Sequence, residues 1–194
     1  MVQNAPRWNT VDGTSFRPDG VEVSLAALVE LVEDAAPDLA AHMARTGRLA
    51  RLFALDLGLS GSLLDLVVRT ARVHDVGKLA LPDSRHAHFV AGQKILERKP
   101  ALIALGPLVR AMNERWDGSG FPHGLSGSAI PLAVRIVAVC DAFDSLTNPL
   151  NGDEPLPTDE AIEELYRRSG SEFDPGVVER FRDLVVCGSS AIAI

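Results

Sequence analysis

Residues 61–73, GSLLDLVVRTARV, set Leu63, Leu64, Val67, Val68 and Ala71 at steps of three and four. This is the period of a helix with one face in a core. The helix runs directly into His74-Asp75, with Val76-Gly77-Lys78 behind them. A carboxylate and an imidazole at the buried end of an apolar segment are costly unless something pairs with them. Whatever this chain folds into must bring them a partner, and either a local hydrogen bond or a metal ion would serve.

The rest of the chain reads as helix too. Helical spacing is expected at about 22–35, 37–57, 61–75, 87–97, 100–113, 158–169 and 174–186. The run PLAVRIVAVCDAF (131–143) is rich enough in Val and Ile to pass for a strand. Its length, its alanines and the spacing of Leu132, Ile136, Val139, Cys140 and Phe143 predict a buried helix instead. Pro37-Asp38, SGSLL and PTDEA carry helix-start signals. Glycine- and proline-rich breakers fall at 117–131 and 147–157, and no internal repeat is visible. The expectation is an all-α fold with one long glycine-rich loop, a place where function concentrates. Residues 1–20 are polar and turn-rich, so a flexible N-terminal segment, one domain over 21–187 and a tail at 188–194 are expected.

Composition narrows the function classes. With 194 residues, 46% of them hydrophobic and 23% charged, the chain can bury a core. Its net charge of −7 and lack of a basic run disfavour a nucleic-acid polymer as partner. No apolar run approaches the roughly 18 residues of a membrane span, and the first twenty lack a signal peptide's apolar stretch. Cys140 sits in an apolar run where a reduced, buried thiol is expected. A cytoplasmic location is the expectation.

Five histidines are present: His42, His74, His86, His88 and His123. His42 lies within a helix one turn after Asp38, a spacing that suits a ligand and its orienter, two ligands or a plain ion pair. Asp141 follows RIVAV on a helix that reads as buried all round, where a lone aspartate is unusual. Two histidines and two carboxylates from three apolar helices make a plausible site for a divalent transition metal.

HDVGK, preceded by a helical histidine and followed by a late aspartate, resembles the HD superfamily of metal-dependent phosphohydrolases. NERWDGSGFPHGLSGSAIPLAVRIVAVCDAFDSL (113–146) is similar to its HD-GYP branch, whose members hydrolyse the bacterial second messenger cyclic di-GMP, and GSEFDPGVVERF (170–181) matches that branch's C-terminal pattern. The resemblance spans about residues 20–185. It implies an HD-domain helical bundle of about seven to eight helices with a glycine-rich active-site loop. It also implies His42, His74, Asp75 and Asp141 as metal ligands, with Asp38 and His88 as further candidates. Asp75 would bridge to a second ion where one is bound, and Lys78 would approach a substrate phosphate; these two are the implied catalytic residues. In the loop RWDGSGFP, Arg115 suits a phosphate, while Trp116 and Phe121 suit either stacking on a base or packing the loop onto the core.

The chain departs from the branch in four places. Met112-Asn113 stand where the family has two adjacent histidine ligands. Phe121 replaces the GYP tyrosine. The segment before His88 is shortened, with His86 as a substitute ligand or a loop residue. An arginine-rich turn after the late aspartate is replaced by NPLNGDEP. Methionine is a poor ligand for iron or manganese, so one tight metal site and a weak or absent second one are expected. Iron or manganese is the expected metal, with nickel or zinc also suited to the donor set.

The resemblance therefore implies a phosphohydrolase acting on a cyclic dinucleotide or another phosphoester. The alternative is a catalytically inactive domain that binds cyclic di-GMP or a signalling partner protein. A purely structural module is disfavoured, because a buried ion cluster stabilises a core poorly. No attached sensor or receiver domain is expected, so regulation is expected from another chain or from metal and ligand supply. The apolar stretches near 22–35 and 174–194 are the expected surface of a homodimer.

Overall fold

The computed structural model describes residues 18–187 apart from Asp83 and Arg85, so most of the expected N-terminal segment and the whole C-terminal tail lie outside the described residues. The described residues hold eight α-helices and no strand: α1 Pro18–Ala35, α2 Pro37–Asp56, α3 Gly61–Val73, α4 Ala87–Glu97, α5 Gly106–Arg110, α6 Leu132–Thr147, α7 Thr158–Arg167 and α8 Pro175–Cys187. The all-α bundle expected from the helical periodicity is thus what forms.

Three boundaries differ from expectation for identifiable reasons. α1 begins at Pro18, four residues early, and proline is at home in a first helical turn. The single helix expected over 100–113 is a 3-10 segment Pro100–Leu105, the short α5, and a second 3-10 segment Ala111–Asn113. Pro107 lacks an N–H and crowds the carbonyl four residues back, so an α-helical ladder cannot run through it. α3 stops at Val73, leaving His74 as its C-cap and Asp75 ahead of a 3-10 turn at Val76–Leu79. The opening HD pair therefore sits at a bend in the chain.

Two apolar clusters hold the bundle together. In one, Phe53 of α2, Phe143 of α6 and Phe181 of α8 meet edge to face, with centroids 5.2 Å apart in both contacts. The other joins Leu25 and Val32 of α1 to Met43 of α2, Leu96 of α4, Leu102 and Val109. Burying a side chain of this size contributes about 1.5–3 kcal/mol. α2 and α3 feed both clusters.

One close backbone approach fixes α4 against the bend. A Cβ on Gly77 would lie 1.8 Å from the carbonyl oxygen of His88 and 2.6 Å from the Gly92 nitrogen. Only a glycine lets the turn after His74-Asp75 pack directly on α4. That contact brings His88, in the first turn of α4, beside Asp75.

Candidate metal centre

Three helices converge on one point. α2 contributes His42, the end of α3 contributes His74 and Asp75, and α6 contributes Asp141; one donor atom from each lies within 4.8 Å of all the others. His42 Nε2 is 3.0 Å from Asp141 Oδ1 and 3.7 Å from Asp75 Oδ2, while His74 Nε2 is 3.3 Å and 3.6 Å from the same two oxygens. Donors that share a first-row ion through bonds of ~2.1 Å stand ~3 Å apart. The four residues fit such an ion in chemistry and in spacing. His42, His74 and Asp75 are buried, and the Asp141 side chain is 27% exposed, which leaves one side of the cluster open.

Each ring is held from its far side. His74 Nδ1–H donates to the Ala71 carbonyl at 2.8 Å. His42 Nδ1–H donates to Asp144 Oδ2 at 2.7 Å. Asp144 is in turn gripped by Arg45, Nε to Oδ1 at 2.7 Å and Nη2 to Oδ2 at 3.0 Å. Such partners fix the tautomer and aim Nε2 at the ion. Asp144 and Arg45 were missed in the sequence, although each lies three residues beyond a member of the cluster, in DAFD and HMAR, on the same helical face.

The electrostatics show what the cluster lacks. Burial works against a charged His42, but Asp141 and Asp144 outweigh it and raise the ring to about 9. Burial likewise opposes charge on His74, and Asp75 and Asp141 raise it nonetheless. Asp75, pushed up by burial, is brought down to about 2 by His74, His88 and Lys78, and the two histidines hold Asp141 well below the carboxylate range. Protons on two rings thus offset two carboxylates, a role that a divalent cation fills with one charge centre.

The other oxygen of Asp75 faces α4. His88 Nδ1–H donates to the Ser84 carbonyl at 2.6 Å, and its Nε2 comes to 3.2 Å from Asp75 Oδ1. The alignment is too poor for a hydrogen bond, so this buried nitrogen has no hydrogen-bond partner. Lys78 donates to Asp75 Oδ2. Met112 is buried in the apolar core, and Asn113 Oδ1 accepts from His86 Nδ1–H at 3.0 Å. Asp38 lies exposed in the first turn of α2, outside the four-residue cluster.

A cavity of about 250 Å³ opens off Asp141, with Asn113, Arg115, Arg168 and Glu172 in its wall. Trp116 lines a smaller cavity that shares Glu114, Glu172 and Phe173 with the first, and Arg135 lies 5.9 Å over its ring; Phe121 is 53% exposed. Glu114 pins the glycine-rich loop, accepting the N–H groups of His123 at 2.7 Å and Leu125 at 2.9 Å. Asp117 closes the loop's turn by accepting the Ser119 N–H at 2.8 Å. In the FDP stretch, Asp174 accepts the Gly176 N–H at 2.9 Å at the start of α8 and pairs with Arg135 at 2.6 Å. From the sequence, Arg168 reads as the end of a solvated helix face, DEAIEELYRR, and Glu172 as part of the C-terminal pattern; the structure sets both in the cavity wall instead.

A family model of the HD domain matches residues 84–177. The cyclic di-GMP phosphodiesterase response regulator RpfG of Xanthomonas campestris is 34% identical over 173 residues, covering 80% of this chain and 46% of that protein. A cyclic di-GMP phosphodiesterase of Thermotoga maritima is 33% identical, covering 74% of this chain and 44% of the relative. The 3'3'-cGAMP-specific phosphodiesterase 2 of Vibrio cholerae is 34% identical over 78% of this chain and 32% of its own length. The chain spans less than half the length of these curated relatives. Among solved structures, the cyclic GMP-AMP phosphodiesterase V-cGAP3 of Vibrio cholerae superposes with a TM-score of 0.65 at 21% identity, over 86% of this chain and 48% of that one. Bd1817, an HDG"Y"P protein of Bdellovibrio bacteriovorus, superposes at 0.63 with 16% identity, over 92% and 75%. These show the same helical fold, and among the described residues no helix is long and apolar enough to cross a membrane. With the HD pair, its His/Asp cluster and these relatives together, the chain carries an HD domain and is similar to cyclic-dinucleotide phosphodiesterases and, in fold, to HD-GYP proteins.

Proposed function

We propose that this domain is a metal-dependent phosphodiesterase acting on a cyclic dinucleotide. The observation that carries the reading is the convergence of His42, His74, Asp75 and Asp141, with both histidines locked from behind so that Nε2 faces inward. A divalent metal held by these four, iron or manganese for this donor set, supplies Lewis acidity and an activated water. The chain's own residues do the rest. Asp141 borders the cavity that receives the phosphodiester. Lys78 is one-third exposed beside Asp75, and we assign its ammonium to a phosphoryl oxygen of the substrate. Arg115 and Arg168 are the arginines in the cavity wall, and we assign them the second phosphate. We assign base contact to Trp116, in the wall of the adjoining cavity, and to the exposed Phe121, although neither lines the cavity off Asp141.

We further propose one tight metal site and a weak or absent second one, for which Asp75 and His88 would be the donors. A second reading, binding without cleavage, is favoured by a specific observation: Met112 is turned into the core and Asn113 is engaged by His86. A homodimer through the stretches near 22–35 and 174–194 stands as a proposal, with Leu31 of α1 exposed, to be checked by light scattering.

The deciding experiment purifies the protein without oxygen or chelator, supplied with iron or with manganese. Metal per chain is counted by plasma mass spectrometry, and cyclic di-GMP and 3'3'-cGAMP are then offered separately. About one metal per chain with release of a linear dinucleotide, both lost in His74→Ala/Asp75→Ala, is the expected result. Metal without hydrolysis establishes the binding reading, and no metal in any preparation overturns the enzyme.

A further inference from the structure

The cavity off Asp141 has two cations in its wall, and a single carboxylate holds both. Glu172 Oε2 accepts from Arg115 Nη1 at 2.7 Å and from Arg168 Nε at 3.2 Å, and Oε1 accepts from Arg168 Nη2. The arrangement is built. The Arg115 Nε donates to Ser119 Oγ at 3.1 Å, and the Arg168 guanidinium lies 4.8 Å over the Phe173 ring. The two segments are also tied through their main chains, Trp116 N–H to the Glu172 carbonyl and Asp117 N–H to the Ser171 carbonyl, both at 3.0 Å. The turn after α6, NPLNGDEP, brings no cation of its own. An anion entering the cavity therefore meets an arginine pair one of whose two charges Glu172 already offsets.

We infer that Glu172 is a built-in competitor for phosphate: its carboxylate occupies the Arg115–Arg168 pair and is exchanged for the phosphate oxygens of an incoming ligand, so that it sets the ligand's affinity. Arginine forks accept a carboxylate and a phosphate with the same bidentate geometry, which makes the exchange one-for-one. The Glu172 side chain is 24% exposed, so it can return to water when displaced. Glu172 is a specificity-determining residue in this role, acting through the two arginines. The inference deepens the phosphodiesterase reading and rests on it for the identity of the ligand.

The test is calorimetric titration of wild type and Glu172→Gln, both manganese-loaded, with two probes: a hydrolysis-resistant phosphorothioate analogue of cyclic di-GMP, and inorganic pyrophosphate. Glutamine keeps the shape and removes the charge. The expected result is binding about 3–10-fold tighter in the variant at low salt, with the gap closing at high salt. Equal or weaker binding of the probes by a variant with wild-type metal content overturns the competitor. Tighter pyrophosphate binding with no binding of the cyclic analogue by either protein upholds the competitor and sinks the cyclic dinucleotide reading. Binding of neither probe by either protein sinks both. Should the variant fail to fold, the wild type decides: the Nε–Hε resonances of Arg115 and Arg168 must both move on saturation with pyrophosphate, and unmoved resonances overturn the inference.

Discussion

The two oxygens of Asp75 look onto two very different half-sites. Oδ2 faces His42 and His74 at 3.7 and 3.6 Å, with Asp141 completing the group. Those residues ride on α2, α3 and α6, and both rings are tied down through Nδ1. Oδ1 faces one ring, His88, whose Nε2 has no hydrogen-bond partner. Nearby, Met112 serves the core and Asn113 is engaged by His86. The difference teaches where a metal site gets its strength. Helices packed on both sides hold ligands in place before any ion arrives, whereas a half-site completed from a 3-10 segment depends on which side chains that segment offers.

The sharpest break of this comparison is His74→Ala/Asp75→Ala, which removes both the first half-site and the bridge. Metal should drop from about one per chain to under about 0.1, and hydrolysis by at least about 100-fold. The opposite manipulation, Met112→His/Asn113→His, should raise metal from about one to about two per chain by giving His88 companions. A count that stays at one would show that the second half-site fails for a reason other than missing imidazoles. Asp144→Asn leaves all four ligands in place and removes the carboxylate behind His42. Metal affinity, measured by competition with a chelator, should fall about 10–100-fold. Gly77→Ala should cost roughly 1–3 kcal/mol by forcing the bend off α4, and calorimetry should register it as several degrees in Tm. Because the strain falls on His88, the first metal should survive this change while any second one is lost.

How much of this was legible follows from what carries each feature. The bundle was, because apolar residues at steps of three and four dictate helices wherever proline does not intervene, and Pro107 is where the expectation over 100–113 failed. His42, His74, Asp75 and Asp141 stood out as polar residues in or just beyond apolar helical runs, and the structure gathers them into one cluster; that the four form a ligand set was legible only through the family resemblance. Asp144 and Arg45 could have been found by looking three residues beyond each ligand. The Arg115–Glu172–Arg168 cluster could not: its members come from a loop and a turn 57 residues apart, and no period links such segments. The meaning of the glycine in HDVGK was equally hidden, because the backbone it approaches belongs to α4.

The smallest effect concerns the His42–His74 side of Asp75 and is read by pH. Without metal, His42 is raised from 6.5 to about 9 and His74 is raised as well. The contribution of His42 to stability is complete below pH 6.5 and is lost as pH climbs through about 9, and that of His74 is lost in the same direction above 6.5. Asp75, lowered to about 2, contributes above its ordinary 3.8 and loses that contribution as pH falls through 2. The metal-free protein should therefore be most stable between about pH 4 and 6.5, and its Tm should fall by on the order of 5 °C by pH 9. Metal reverses the slope, since it binds deprotonated rings and releases their protons. The gap in Tm between metal-loaded and metal-free protein should thus widen from pH 6 to pH 9, as scanning calorimetry can read directly. In His74→Ala/Asp75→Ala, which loses one raised histidine and the bridging carboxylate, both the slope and the gap should shrink. A gap independent of pH in the wild type would mean that the ion displaces no protons, and that the two carboxylates do not hold His42 and His74 charged in its absence.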